Sequence, residues 1–523
     1  MGIGELFQQF FGKIWSGVSG ILISGIGFLT ILFTMLAFFV PINIWLEIMT
    51  ILVGIASFFY HQSYLKIYHL FKNNSWFFGT IIVITLFFGT YYPFILDHFG
   101  YYVPTIKWIS EIGLVKGVAN LDLLLGQMSI WHIFQAGFSH FVDPFLRINS
   151  VLLVVFLMYI FEKKSWILLL FVPVFFLFVQ SPSPDLPCMV ISLLILNETL
   201  KNNQNSALLF ALSMLVFSIK PTMIWVPMFS FLYSVFLLKR NLRFVGLGMV
   251  ILLLFLLKNC WVFGFPIFPV QMFDFGFSWK PSPELLKISS EVAIQKTYDM
   301  QYTQAEIEQF SGWDYIKNWL FLDGIKSKIH FFFLFSLLAF LVFSIKKKSK
   351  IIWLLIISVV LKSVLVLAFS AQYRFFLDVF FVIALVLFYE KQNEKVAKIF
   401  FGFCTMVVFV FLSFPVLLQK AIPSFKLGNY MLGFQKEQLI TPSFFAKNKY
   451  KTYQIGNLKF QVVQGNPFSF DAPIPAISPE FLKEDADAGI FPQQIDENLS
   501  HGFIWRKLSH DEREQLQLII SKF

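Results

Sequence analysis

The sequence predicts an all-α polytopic membrane protein with a small α+β domain at its C-terminal end. Of the 523 residues, 57% are hydrophobic and only 14% are charged, whereas soluble domains average about 45–50% apolar and about 25% charged residues. Long apolar runs alternate with short polar segments up to residue 419, and a mixed pattern follows. These observations exclude a water-soluble protein and indicate a bundle of membrane-spanning helices followed by a folded tail.

About 13 apolar runs bounded by charge or proline are candidate spans, since about 20 helical residues cross the hydrocarbon core of a bilayer. They cover residues 21–40, 42–60, 76–95, 146–161, 166–181, 187–200, 206–219, 221–238, 244–264, 329–345, 351–369, 375–390 and 399–419. The first run is long enough to remain as an anchor and lacks the cleavage site of a signal peptide. Cys188, Cys260 and Cys404 lie within or at the ends of such runs, where a disulfide framework would serve no loop.

The lysine and arginine residues indicate how the chain is oriented. If the N-terminus is cytoplasmic, the inner loops contain most of the basic residues, and the short outer loops contain only Lys220 and Arg374. We therefore expect the C-terminal segment to lie outside, on the membrane face away from the cytoplasm. Because the net charge of +10 comes largely from such clusters, we expect no nucleic acid partner. The inner basic residues are Lys66, Lys72, Lys163, Lys164, Lys201, Lys239, Arg240, Arg243, Lys346, Lys347, Lys348, Lys350, Lys391, Lys395 and Lys398.

This topology divides the chain into three regions. Residues 1–75 contain two N-terminal spans, residues 76–419 form the transmembrane core, and residues 420–523 form an extracytoplasmic domain. The core includes two long outer loops, 93–145 and 264–328. Because both loops and the tail lie outside the membrane on one side, we expect a functional site on that side.

The first outer loop is expected to contain interfacial helices. Pro104 and Gly113 mark the start and end of a short helix, and its isoleucines fall on one side, as is typical of a helix in the membrane interface. The apolar residues 121–141 predict a second interfacial or partly re-entrant helix. The histidines of this loop have no metal-ligand spacing, so we expect no metal site there.

Local signals also predict structure in the middle loop and the tail. The middle loop contains a charged helical segment near residues 283–308. In the tail, alternating residues on both sides of Gly456-Asn457 predict a β-hairpin. Ser509 followed by Glu512 three residues later is a capping box that opens a final helix.

Several motifs of common reaction classes do not occur in the sequence. There is no Walker loop, Rossmann fingerprint, HExxH or CxxC, so nucleotide-driven transport, redox cofactors and a zinc protease site lose support. The remaining candidates are charged residues at the outer ends of predicted spans, namely Asp97, Asp185, Lys220 and Arg374. A carboxylate in such a group can take the proton of an acceptor hydroxyl, and the cations can neutralise a leaving phosphate.

Each of these residues also has an ordinary structural explanation. Aspartates in loops commonly form turns or helix caps, and Arg374 can form an intrahelical ion pair with Asp378 one turn later. Lys362 lies inside a predicted span, where an ionisable group normally faces a cavity or a partner, and we expect it to contact an anionic group. The placement of four charges at one face favours a site over four separate explanations.

Six short motifs occur one after another along the chain. They are Asp97–Trp108, Gly113–Asn120, Ser181–Asp185, Ile219–Lys220, Tyr373–Phe375 and Asp471–Pro475. The overall plan makes the chain resemble the glycosyltransferase C superfamily, integral membrane enzymes that use polyprenyl-phosphate-linked sugars. This plan has a long first outer loop with an Asp just after a span, interfacial helices after it, short paired spans and an outer C-terminal domain. More narrowly, the six motifs in their order make the chain resemble a group of bacterial membrane proteins frequent in Bacteroidetes and spirochaetes.

The resemblance implies roles for individual residues. Asp97 would be the catalytic carboxylate, although superfamily members often pair two acids at this site and here His98 is its neighbour. The narrower group has Tyr-His where this chain has Tyr101-Tyr102. The substrate-binding residues would be Asp185, Lys220, Arg374, Tyr102, Asn120 and Lys362.

We therefore expect a membrane glycosyltransferase that moves a sugar from a polyprenyl-phosphate carrier to an envelope glycan, lipid or protein acceptor at the periplasmic face. A divalent cation is an optional cofactor that these residues neither require nor exclude. The alternative is a non-catalytic lipid-linked saccharide flippase or an envelope assembly subunit. Transporters usually have polar groups near the bilayer midplane, whereas the clustered charges here lie at one surface, which favours an enzyme.

Overall fold

The fold is described from a computed structural model of the chain, which covers residues 1–391, 393–423, 430–443 and 449–523. It is mostly helical, at 66% of residues, and has a small C-terminal region with two sheets. The predicted helical fold and mixed C-terminal region are confirmed. Apolar segments form helices because a helix pairs its own backbone polar groups, which an apolar environment cannot do.

The N-terminal region contains four helices, and the first of them packs closely on the next two through glycines. Its helices are α1 (Gly2–Phe11), α2 (Val18–Leu36), α3 (Ile44–Tyr60) and α4 (Ser63–Lys72). A Cβ at Gly4 would lie 1.9 Å from the Ile21 carbonyl oxygen, and one at Gly2 would lie 2.0 Å from the Gly54 carbonyl oxygen. These glycines therefore allow α1 to pack directly on α2 and α3. The span prediction had not identified α1 as an element.

The core is built from helices of very different lengths. Those before the middle loop are α5 (Trp76–Phe88), α6 (Val103–Glu111), α7 (Ile130–Ala136), α8 (Ile148–Lys163), α9 (Val172–Phe175), α10 (Asp185–Leu200), α11 (Ser206–Ile219), α12 (Trp225–Leu232) and α13 (Gly246–Phe263). The middle loop contains α14 (Pro283–Thr297), α15 (Gln304–Glu308) and α16 (Gly312–Leu320). The helices after it are α17 (Ile325–Lys347), α18 (Lys350–Phe369), α19 (Leu377–Phe388), α20 (Glu394–Ser413) and α21 (Pro415–Ala421).

The predicted count of 13 spans is not supported. Among the described residues, five helices are long and apolar enough to cross a membrane, or six if α3 and α4, which meet at a bend of 71°, form one broken span. The five are Val18–Leu36, Leu242–Phe263, Ile325–Lys347, Lys350–Phe369 and Glu394–Ser413. Other apolar runs form helices of 10–17 residues, which at 1.5 Å per residue are shorter than a hydrocarbon core of about 30 Å.

The first outer loop folds into the protein core, and the prediction of interfacial helices was wrong. The short helix after Pro104 exists as α6, but its Ile106 and Ile109 are buried at 3% and 0% exposure. Residues 121–141 contain a 3-10 helix, Leu123–Gln127, and a short helix, α7, whose residues are all buried. Apolar residues on one side of a helix are equally suited to lipid and to protein, and here they pack against protein.

The C-terminal region forms two antiparallel hairpins and two helices. Its elements are β1 (Tyr450–Ile455), β2 (Leu458–Val463), α22 (Pro479–Ala488), β3 (Ile490–Gln494), β4 (Phe503–Lys507) and α23 (His510–Ile520). β1 pairs with β2 around Gly456-Asn457, and β3 pairs with β4. Ser509 and Glu512 form the expected capping box of α23. The predicted hairpin and final helix are confirmed.

Polar contacts attach this C-terminal region to the outer loops. The Phe503 backbone N–H donates to the Lys116 carbonyl at 2.9 Å, and Lys107 donates to the Asp471 carboxylate at 3.1 Å. Phe468 packs near Gly100, just beyond Asp97 in sequence. The tail therefore lies against the first outer loop on the side where the candidate charges are found.

Candidate functional site

Asp97 and Arg374 form an ion pair although they are far apart in the sequence. Asp97 directly precedes a π-helical turn, His98–Tyr102, and Arg374 lies in a short turn, Tyr373–Phe375, between α18 and α19. The Arg374 Nη1 atom is 3.6 Å from Asp97 Oδ2, and the two side chains are 45% and 34% exposed. The pair is therefore accessible to a ligand.

Asp185 and Lys220 form a second ion pair at the same end of the bundle. Asp185 is the first residue of α10, and Lys220 directly follows α11. Because the two helices are consecutive and antiparallel, the start of one lies beside the end of the other. Ser183 also donates a hydrogen bond to Asp185 at 3.3 Å. The pair is more enclosed than the first, with Lys220 14% and Asp185 32% exposed.

The ring of Phe375 joins the two ion pairs. Lys220 Nζ lies 5.3 Å from the ring centroid, and the Arg374 guanidinium carbon lies 5.0 Å from it. Cations over an aromatic face are attracted by the negative charge density of the ring. The structure thus brings together Asp97, Asp185, Lys220 and Arg374, which we call the charge cluster.

The electrostatics of the charge cluster favour a proton-accepting role for Asp97. Burial raises the pKa of Asp97, the nearby Arg374 guanidinium opposes this rise, and the Asp185 carboxylate adds to it. A carboxylate with a raised pKa is a stronger base than an exposed aspartate. Burial lowers the pKa of His98 to about 3, and Arg147 adds to the decrease. His98 is therefore neutral near pH 7.

Tyr102 lies beside the charge cluster, but it is a buried residue. Its side chain is 1% exposed and packs 4.8 Å from the His132 ring centroid. Burial raises the pKa of Tyr102, and the Asp97 and Asp185 carboxylates raise it further. Its hydroxyl is therefore protonated at every ordinary pH, so it can act only as a neutral group near the two acids.

Asn120 does not join the charge cluster. Its side-chain amide donates to the carbonyls of Gly117 at 3.0 Å, Trp279 at 2.8 Å and Phe503 at 3.2 Å. These bonds hold together the first outer loop, the middle loop and the C-terminal region. The structure therefore gives Asn120 a place in the scaffold, in contrast to the predicted contact with substrate.

Lys362 is enclosed and contacts an anionic group, as expected, but that group belongs to the protein itself. It has no exposed side-chain surface and lies 2.6 Å from Asp378 Oδ1. The Trp225 indole N–H donates to the other Asp378 oxygen at 2.7 Å. The expected anionic contact is thus an internal carboxylate, and Asp378 pairs with Lys362 instead of Arg374. Trp225 lies within an apolar run and carries no sequence signal for this contact.

Among the described residues, the charge cluster is not part of a larger group of metal-ligating side chains. Each of its two carboxylates already faces a cation. Throughout the described ranges, no group of three or more His, Cys, Asp or Glu side chains could hold a metal ion. No step of a reaction at this site is therefore assigned to a metal.

The charge cluster and the basic residues lie at opposite ends of the same helices. α10 begins at Asp185 and ends beside Lys201, and α11 returns from Ser206 to Lys220. At 1.5 Å per residue, helices of 16 and 14 residues are about 21–24 Å long. The bundle thus has one end with the charge cluster and another end with basic residues such as Lys163, which lies beside Lys201.

Two surface depressions lie away from these charges. One of about 560 Å³ lies between Glu111 and the segment 497–500, and one of about 390 Å³ lies between the segment 276–280 and Trp505. Both are at the boundary between the outer loops and the C-terminal region, and neither is lined by a residue of the charge cluster. The chemistry of the site is therefore defined by the charges and not by these depressions.

Residues 1–381 match a family model described as a domain of unknown function, DUF8201. Because the match covers 381 of the 523 residues, the chain belongs to this family. All four residues of the charge cluster fall within the matched region. Neither the curated proteins nor the solved structures include a match to the chain.

Proposed function

We propose that this member of the DUF8201 family is an integral membrane glycosyltransferase that takes a sugar from a polyprenyl-phosphate carrier. The observation that supports this most directly is the position of Asp97, 3.6 Å from Arg374 and close to the Asp185–Lys220 pair. A base and two cations in one cluster suit the transfer of a sugar from a phosphate to a hydroxyl. The resemblance to the glycosyltransferase C superfamily points to the same chemistry.

In the proposed reaction, the hydroxyl oxygen of the acceptor attacks the anomeric carbon of the sugar. The bond between that carbon and the phosphate oxygen breaks, and polyprenyl phosphate leaves with the bonding electron pair. The Asp97 carboxylate takes the hydroxyl proton, for which its raised pKa is suited. A single displacement of this kind inverts the configuration at the anomeric carbon.

The two cations bind and neutralise the phosphate that leaves. Arg374 is 45% exposed and can exchange its contact with Asp97 for a contact with phosphate. This exchange also frees the Asp97 carboxylate to accept a proton. Asp185 holds Lys220 in place and acts as a ligand of the sugar or the acceptor.

The arrangement of charge along the bundle supports an orientation in the membrane. Several helices are long and apolar enough to span a bilayer. Basic residues such as Lys163, Lys201 and Lys346 lie at the helix ends opposite the charge cluster. Since basic loops are retained in the cytoplasm, we assign the charge cluster and the C-terminal region to the periplasmic face of a bacterial inner membrane.

The direct test is to replace Asp97 by asparagine and measure transfer. Purified protein in lipid nanodiscs is given polyprenyl-phosphate-linked hexoses and pentoses, and released polyprenyl phosphate is quantified by mass spectrometry. Loss of a general base typically lowers the rate about 100- to 10,000-fold. The control is Asp471→Asn, an exposed carboxylate of the tail that contacts Lys107, which should leave transfer unchanged.

The outcomes separate the proposal from its alternative. Transfer by the wild-type protein that is lost in Asp97→Asn would support the transferase. Undiminished transfer by Asp97→Asn would refute the role of Asp97. Binding of the lipid carrier without any transfer would favour the non-catalytic flippase or assembly subunit.

A further inference from the structure

A buried ion pair lies directly behind the charge cluster. Lys362 on α18 and Asp378 on α19 are 2.6 Å apart, and their side chains are 0% and 7% exposed. The indole N–H of Trp225 on α12 donates a hydrogen bond to the second Asp378 oxygen at 2.7 Å. Both oxygens of the carboxylate are therefore engaged, and three helices meet at this point.

The same lysine holds the turn that carries Arg374. Lys362 Nζ also donates a hydrogen bond to the backbone carbonyl of Phe375. Phe375 is the last residue of the turn that contains Arg374, and its ring lies 5.3 Å from Lys220 Nζ and 5.0 Å from the Arg374 guanidinium carbon. One residue is thus fixed by Lys362 through its backbone and contacts both cations of the charge cluster through its ring.

Stability alone does not account for this buried pair. Replacing a buried ion pair by apolar residues of similar size is often neutral or stabilising, because desolvation of the charges offsets their attraction. An apolar junction would join α12, α18 and α19 as well as an ionic one. It would not donate a hydrogen bond to the Phe375 carbonyl.

We infer that Lys362, oriented by Asp378 and Trp225, is a positioning residue that sets Arg374 and Lys220 for binding the phosphate of the lipid carrier. The inference rests on the proposed function of the charge cluster. Lys362 touches no phosphate itself, and it acts through the backbone of Phe375. This role replaces the direct substrate contact that the sequence predicted for Lys362.

The test replaces the buried Lys362–Asp378 pair by apolar residues and, separately, removes Arg374. The double variant Lys362→Met with Asp378→Leu removes both buried charges and leaves neither unpaired. Undecaprenyl phosphate is titrated onto the full-length protein in nanodiscs, and binding is followed by tryptophan fluorescence. We expect affinity to fall about tenfold, because a charge-assisted hydrogen bond is lost when Arg374 is misplaced.

Non-additivity distinguishes positioning from a general structural effect. Arg374→Gln should weaken binding about tenfold or more in the wild-type background, but less than about threefold in the double variant, because Arg374 no longer contributes there. Lys258→Met is the matched control, since Lys258 is a buried lysine on α13 that bonds to the Met128 carbonyl and not to Phe375. It should leave the affinity unchanged.

A milder variant keeps the test valid if the double variant does not fold. Trp225→Phe removes the indole N–H that orients Asp378, together with part of the buried ring, and keeps the ion pair itself, so it should weaken binding by a smaller factor. Two results would overturn the positioning role alone. One is unchanged affinity in the folded Lys362/Asp378 double variant or in Trp225→Phe. The other is an effect of Arg374→Gln on affinity that is the same in the double variant as in the wild type. Absence of binding by the wild-type protein would overturn the proposed function, and this inference with it.

Discussion

Arg374→Gln gives the sharpest separation between binding and stability at the charge cluster. The new side chain is shorter, keeps a polar amide and loses the positive charge. Its ion pair with Asp97 spans 3.6 Å between groups that are 45% and 34% exposed, and such pairs contribute about 0–1 kcal/mol to stability. We therefore expect the variant to fold and to unfold within a few degrees of the wild-type midpoint.

The effect on lipid binding should be much larger. A hydrogen bond to a charged group contributes about 1.5–3 kcal/mol, and about 1.4 kcal/mol corresponds to a tenfold change in affinity. The dissociation constant of undecaprenyl phosphate should therefore rise about 10- to 100-fold. The measurement is a titration of the lipid onto protein in nanodiscs, at one fixed salt concentration because screening weakens exposed charge interactions.

The control for this prediction is an ion pair at the other end of the bundle. Lys347 and Glu390 are 2.7 Å apart, and their side chains are 39% and 72% exposed. Lys347→Gln removes one positive charge at similar exposure far from the charge cluster, so it controls for the change in net charge alone. If Arg374→Gln binds undecaprenyl phosphate as tightly as Lys347→Gln and the wild type, Arg374 does not bind the phosphate.

Three further predictions concern pH and packing. Because burial raises the pKa of Asp97, transfer should decline with falling pH from above the ordinary aspartate range of about 4, and an acidic limb at or below 4 in the pH–rate profile would contradict its role as the base. Burial also raises the pKa of Asp485, whose Oδ2 atom has no hydrogen-bond partner within the described residues. Folding therefore disfavours the charged form of Asp485, and Asp485→Asn should raise the thermal unfolding midpoint at pH 7. The increase should vanish as the pH approaches about 4, where the aspartate becomes protonated in the unfolded chain as well. An increase that does not depend on pH would argue against this cause. A Cβ at Gly137 would lie 2.1 Å from the ring of the buried Phe33, so Gly137→Ala should destabilise the protein by about 1–3 kcal/mol, and an unchanged denaturation midpoint would count against this packing.

Short-range signals predicted individual elements well. The hairpin at Gly456-Asn457 and the cap formed by Ser509 and Glu512 depend on residues only a few positions apart, and both are confirmed. The number of spans was overestimated because hydropathy measures apolar character alone. A run such as α10, which is almost wholly buried by protein, has the same apolar character as a helix that faces lipid.

The sequence by itself determined the class of the protein, its helical content, the folded tail and the position of four charges at the ends of helices. Only the tertiary structure decided their partners. Arg374 pairs with Asp97 and not with Asp378, which is one turn later in the chain. Lys362 pairs with Asp378, and Asn120 donates to the Trp279 carbonyl of the middle loop. The physical reason is that hydropathy and capping depend on near neighbours in the chain, whereas an ion pair depends on how separate helices pack together.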